Sequence, residues 1–189
     1  MASDQKELTA GQAHGNKIEL EIVTPKGRAL KAVVDEVTAP SVAGEFGVLP
    51  GHLPLLAALQ TGILSYKEGG ETKRCAVGTG FAEAGPDKVA ILTDRYIERD
   101  QIDPVLVRKE LAEVQQKVAE ASGTSAEAIS DNPALIALIR DENWLAAQLE
   151  LYGDPPAATM RPFETFGPVP GPEEEDVPQA DAGTPGPDA

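Results

Sequence analysis

Few side chains in this 189-residue chain could carry chemistry. Of its two histidines, His14 lies in a polar leader, while His52 lies in residues 44–56, which read GEFGVLPGHLPLL. Imidazole titrates near neutral pH, so His52 invites a catalytic or metal-binding role. Either task needs companions: a metal wants several ligands at close spacing, and a nucleophile wants an adjacent base. Cys75 is the only cysteine, and neither a CxxC nor an HExxH pattern stands beside it. Gly78-Thr79-Gly80 is too short for a phosphate-binding loop and lacks the following glycine, lysine and helix start, so it reads as a strand irregularity. The inventory predicts no catalytic residue, no metal and no cofactor. His52 is left either hydrogen-bonding a turn and ordering its loop, or meeting a partner. The rival reading is a small-molecule or metal-binding sandwich domain that uses His52. Trp144 stands one position before Leu145, about 100° round a helix from it. Its helical neighbours Ala137, Arg140, Asp141 and Gln148 are mostly polar, so it either caps the edge of a helix pair or anchors on another surface.

The elements that must position these residues fall into regions. Residues 1–16 form a flexible leader without the apolar run of a signal peptide. Residues 17–100 read as strands. Ile18, Leu20 and Ile22 alternate with Lys17, Glu19 and Glu21, the period of a half-buried strand. Pro25-Lys26-Gly27 is turn chemistry before a second strand at 29–38, and Gly69-Gly70 joins a strand from Gly62 to one over 71–77. Short strands, frequent glycine turns and no intervening helix predict an antiparallel β-sandwich or barrel.

At residue 103 the period changes. Asp103-Pro104 is a helix start, and Val107, Leu111, Val114, Val118 and Ala121 make a narrow apolar stripe that Gly123 can end. Asp131-Asn132-Pro133 starts a second helix, whose stripe Leu135, Leu138, Leu145, Leu149 and Tyr152 is broken where Glu142 sits. The two predict an antiparallel helical hairpin over 103–152, too small to be its own core and so leaning on something else. Residues 153–189 carry nine prolines and eight acidic residues, the composition of a disordered tail.

With 16 basic and 31 acidic residues, the formal net charge is −15. That excess argues against nucleic acid, whose phosphates demand a basic face, and against direct docking on anionic lipid. No apolar run approaches the roughly 18 residues that would span a bilayer. The expectation is a chain that is soluble, or peripheral to a membrane through a partner.

The segment GEFGVLPGHLPLL, followed by Leu59-Gln60-Thr61-Gly62-Ile63-Leu64, Gly80-Phe81-Ala82-Glu83, Val89-Ala90-Ile91-Leu92-Thr93-Asp94 and the helix from Asp103, resembles the epsilon subunit of F-type ATP synthases, called delta in mitochondria. The resemblance spans residues 17 to about 152. It implies a sandwich of about ten strands followed by a helix pair, in a non-catalytic subunit of the rotor. The sandwich of that family joins the gamma subunit to the c ring and passes on the torque of proton flow. Its helices lie folded on the sandwich or extend along gamma, where they touch alpha and beta subunits transiently and block ATP hydrolysis. The resemblance makes residues 44–56 a gripping surface near the c ring, with Glu45, Phe46 and His52 as contacts. It places the chain at the cytoplasmic face of the bacterial plasma membrane, without insertion. Two departures stand out. The Ile/Leu-Asp-x-x-Arg-Ala pattern with which some relatives bind ATP is missing, Leu138-Ile139-Arg140-Asp141 having the wrong order. Residues 103–152 hold four basic and nine acidic residues, a poor match for the acidic beta segment that basic helices attract in relatives.

Overall fold

The computed structural model describes residues 16–121 and 132–156. The expectations of a flexible leader, a stop at Gly123 and a disordered tail beyond residue 156 lie outside the described residues. Ten strands come first: β1 (Ile18–Thr24), β2 (Gly27–Val34), β3 (Glu36–Ser41), β4 (Gly44–Val48), β5 (Leu55–Leu59), β6 (Gly62–Glu68), β7 (Glu71–Val77), β8 (Gly80–Ala84), β9 (Lys88–Thr93) and β10 (Tyr96–Glu98). A short 3-10 turn, Arg99–Gln101, leads into α1 (Pro104–Ala121) and α2 (Pro133–Tyr152).

The strands hydrogen-bond in the order β10-β7-β6-β3-β5-β8-β9-β1-β2, with β4 on β3. Residues 36–38 of β3 pair with β6, whereas only Ser41 pairs with β5, through Leu59. The ladder folds over at this narrow joint into two layers. Every pairing is antiparallel except β1 with β9, where Leu20 faces Val89 and Ile22 faces Ile91. The alternation in β1 has the expected result: Ile18, Leu20 and Ile22 are fully buried and meet Val34, Val37, Val48, Leu64, Val77 and Ile91 between the layers.

One strand boundary differs from expectation. The run 29–38 is two strands, divided at Asp35, whose N–H donates to the Lys67 carbonyl 2.7 Å away. That long-range bond turns the chain from β2 in one layer to β3 in the other. Residues 44–56 are also less loop-like than their glycines and prolines suggest, since β4 and the start of β5 occupy most of them.

A second core lies outside the sandwich. Ile63 and Ala76 face each other on β6 and β7, and Ile97 of β10 faces Ala76. These three pack with Ile102, Val107, Leu111, Leu145, Leu149 and Leu151. α2 lies on this face, and α1 packs mainly on α2. Asp103 Oδ1 accepts from the N–H groups of Val105 and Leu106 at 3.0 and 3.2 Å, and Asn132 Oδ1 does the same for Ala134 and Leu135, so both caps satisfy first-turn donors. At the other end of α2, Gly153 adopts φ 102° and its N–H reaches the Leu149 and Glu150 carbonyls, a left-handed stop that favours glycine. Being covered on two sides, α2 buries more than one stripe. Ala147, Gln148 and Leu151 join Leu135, Leu145 and Leu149 in burial, and Glu142, expected to break the stripe, is itself only 5% exposed. Tyr152, expected within the stripe, is exposed instead.

Candidate functional site

Three regions bear on function, beginning with the segment around His52. Ser41 Oγ donates to the Gly44 carbonyl at 2.6 Å and accepts from the Ala43 N–H, closing the turn into β4. Along β4, Phe46 and Val48 point to the core while Glu45 points to solvent. Beyond Val48 the chain turns on Gly51 at φ 84°, whose N–H donates to the Pro86 carbonyl at 2.7 Å, and the His52 N–H donates to the Leu49 carbonyl at 3.0 Å. The imidazole then closes on its own neighbour: Nδ1 lies 2.6 Å from the Leu53 carbonyl, so Nδ1 carries the proton and donates it. Gly44 and Gly51 hold backbone conformations that other residues resist, whereas Gly47 sits in regular strand pairing opposite Thr38 and has no positive φ.

This order serves an unusual exposure. Leu53 is 80% exposed and Leu56 72%, with Leu49 also in solvent. Glu45 and His52 share no hydrogen bond or ion pair among the described residues. Among the described residues no cluster of His, Cys, Asp or Glu could hold a metal ion.

The second region adjoins the first along β5. Cross-strand register sets Ala58 beside Phe81, Phe81 beside Leu92, and Leu92 beside Val23. All four point away from the core, and Phe81 and Leu92 are more than half exposed. The result is an apolar row across β5, β8, β9 and β1. One register step along, Glu21 and Glu19 meet Lys88, Lys31 and Arg28 in an ion-pair lattice, with Lys88 to Glu21 at 3.2 Å and Lys31 to Glu19 at 3.1 Å. The Lys88 ammonium, as hydrogen-bond partner, holds the Glu21 carboxyl below its usual range. An apolar row beside a charged lattice is a protein-binding surface in composition. Sequence reading missed it. The signal was present: residues 89–92 are apolar in both phases of a strand, so half of them had to face outward.

Trp144 belongs to the third region, the seam between α2 and the sandwich. It is half-buried against the second core, and the Arg95 guanidinium lies 5.9 Å from its ring centroid. The same arginine donates from Nη2 to Asp141 Oδ1 at 2.6 Å. Trp144 thus faces the sandwich. Arg99 lies over the Tyr152 ring and donates to the Tyr152 carbonyl from Nε and Nη2, at 3.3 and 3.2 Å.

Cys75 is buried to 1% exposure, and its thiol points weakly to the Leu64 carbonyl. Burial pushes the thiol up from 9.0 to about 12, the opposite of what a nucleophile needs. Burial likewise raises the neighbouring Tyr66 and Tyr96 hydroxyls, with Tyr96 also donating to Glu98 Oε1 at 2.6 Å. A raised pKa in the fold means the unfolded chain ionises first as pH rises. The stabilising contribution of Cys75 is therefore whole below about pH 9 and is lost towards pH 12. Iodoacetamide at pH 8 should leave native Cys75 unmodified and alkylate it in urea. Urea midpoints should fall steadily above pH 9; rapid native alkylation, or a midpoint that rises with alkali, would contradict this assignment.

Residues 17–99 match the family model described as the ATP synthase delta/epsilon chain β-sandwich domain. The ATP synthase epsilon chain 2 of Syntrophotalea carbinolica is 39% identical over 104 residues, 55% of this chain and 75% of that one. The chain belongs to the ATP synthase epsilon family. The epsilon chains of Syntrophobacter fumaroxidans and Nitratidesulfovibrio vulgaris are similar at 44% and 43% identity, over 78% and 77% of their lengths. A chain in the solved OSCP/F1/c-ring of the Euglena gracilis mitochondrial ATP synthase shares the fold, with a TM-score of 0.58 and 24% identity over 79% of this chain and 89% of that one. The ten-stranded sandwich followed by two helices is the epsilon-family architecture. No helix among the described residues is long and apolar enough to cross a membrane.

Proposed function

We propose that this chain is a non-catalytic rotor subunit that joins the gamma subunit to the c ring of a proton-translocating F-type ATP synthase, at the cytoplasmic face of the bacterial plasma membrane. The observation that carries the reading is the pair of adjoining outward apolar surfaces on one sandwich: the row Ala58, Phe81, Leu92 and Val23, and the leucines around His52. An adaptor needs two grips on a stiff body. Gamma takes the sheet face, and the c ring takes the Gly51–His52 turn with Glu45 and His52, the half-buried Phe46 packing on the sandwich core. The helical hairpin restrains ATP hydrolysis through transient contact with alpha and beta subunits, and leaves synthesis untouched when it rests on the sandwich.

Tagged chain pulled from native membranes should bring gamma and c subunits with it, and recovery of neither would end this reading. A finer test is the double replacement of Glu45 and His52 by alanine. Each contact is worth about 0.5–1.5 kcal/mol, so the pair should weaken binding to the membrane sector by roughly tenfold. His52 loses only its bond to the Leu53 carbonyl, so melting of the isolated chain should move by a few degrees at most. A large fall in melting temperature with unimpaired assembly would make the segment internal scaffolding.

A further inference from the structure

We propose that Arg95 is the latch that holds the helical hairpin on the sandwich through its joint grip on Asp141 and Trp144. The inference deepens the regulatory part of the proposed function and rests on that reading for its consequence, though not for the latch itself.

The apolar seam is small on the sandwich side, where only Ile63, Ala76 and Ile97 present side chains from the strands. Helical spacing puts Trp144, Gln148 and Leu151 of α2 on one face, apart from the Leu135, Leu138, Leu145 and Leu149 stripe. α1 packs mainly on α2, and Asp154, just past α2, is ion-paired with Arg108 of α1. The two helices are therefore bound to each other more fully than either is bound to the strands, which makes them a unit.

A small seam leaves the rim to decide. Arg95 stands between β9 and β10 and reaches two α2 residues with one guanidinium, pairing with Asp141 at 2.6 Å and lying over Trp144. Asp141 and Trp144 are three positions apart, hence neighbours on one helical face. Arg99 grips the same helix eleven and eight residues further on, at Tyr152. Two grips separated along a helix fix its direction as well as its distance. The charges are complementary. Residues 103–152 are net acidic, while Lys26, Arg28 and Arg95 line the cleft beside Trp144, together with Asp94 and Glu98. Both partners of the Arg95–Asp141 pair are partly open to solvent, so salt should loosen it.

Trp144 is the only tryptophan in the chain, so its fluorescence reads the seam without a label. The experiment uses the full chain and its Arg95→Gln, Asp141→Asn and charge-swapped Arg95→Asp/Asp141→Arg variants, with acrylamide quenching and far-UV circular dichroism. Asp141→Asn keeps the arginine in the chain and removes only its carboxylate partner, which separates loss of the latch from deletion of the group beside the fluorophore. Both single variants should raise the quenching constant roughly twofold or more and shift emission to the red, with helix content unchanged. Molar salt should do the same to the parent chain, and the swap should restore protection. Unaltered quenching in the single variants, or a swap that fails to restore protection, would overturn the latch. In a reconstituted complex, the released variants should change ATP hydrolysis. Freed Trp144 with parental hydrolysis would leave the latch standing and remove the inhibitory reading instead.

Discussion

Gly80→Ala should abolish the folded sandwich at physiological temperature. A Cβ on Gly80 would stand 1.9 Å from the Leu92 carbonyl oxygen and 2.9 Å from both the Leu92 carbonyl carbon and the Thr93 Cα. All three atoms are backbone of β9, the strand that Gly80 pairs with at Thr93. No side chain can swing aside, so β8 and β9 would have to separate where they complete the sheet. A change of this kind belongs with the rare substitutions costing more than about 4–5 kcal/mol, against a total stability of about 5–15 kcal/mol. Gly78→Ala is the control. Its Cβ would meet Asp94 Oδ1 at 2.0 Å, an atom that can rotate away by giving up its carboxylate's bond to the Thr79 hydroxyl. Circular dichroism melts of the two variants should differ widely, and a Gly80→Ala chain that melts within a few degrees of the parent would refute the close approach.

Deletion of residues 103–189 should have the opposite outcome for the fold and a large one for regulation. The sandwich core of Ile18, Leu20, Ile22, Val37, Leu64 and Ile91 contains no helical residue. Only the outer face of Ile63, Ala76 and Ile97 and the side chain of Ile102 are uncovered, a loss of about 3–5 kcal/mol from apolar surface returned to water. The truncated chain should keep its strand spectrum, bind a hydrophobic dye that the parent excludes, and support ATP synthesis in reconstituted membranes. Under the proposed function, any inhibition of hydrolysis should fall. Failure of coupling in the truncated form would assign the structural connection to the helices.

What the sequence made legible follows from which forces are local. The alternation Ile18, Leu20, Ile22 and the caps Asp103 and Asn132 act over a few residues, and the structure has each of them. The break at Asp35 depends on the carbonyl of Lys67, 32 positions away, and no neighbouring residue announces it. The burial of Ala147, Gln148 and Leu151 needs a second layer beneath α2, which a single stripe of period 3.6 cannot reveal. The site divides the same way. Exposed leucines around His52 could be suspected from apolar residues set among glycines and prolines. The row Ala58, Phe81, Leu92 and Val23 exists only once four strands are in register, and the part played by Arg95 only once α2 lies beside it.

The parallel pairing of β1 with β9 governs how the protein must be made. The first strand is held between Lys88–Thr93 and Gly27–Val34, in the interior of its sheet. As the chain leaves the ribosome, Ile18–Thr24 can pair at once with Gly27–Val34, but its other edge waits until some 65–75 further residues have emerged, roughly 3–15 s at ordinary rates of synthesis. Through that interval a strand bearing Ile18, Leu20 and Ile22 offers an open edge to any extended peptide nearby. The ninth of the ten strands is the one that seals the first, so contact order is high and folding slow for a domain of this size. A ribosome-associated chaperone that shelters β-rich nascent chains should therefore raise the yield of this subunit more than that of a helical protein of equal length.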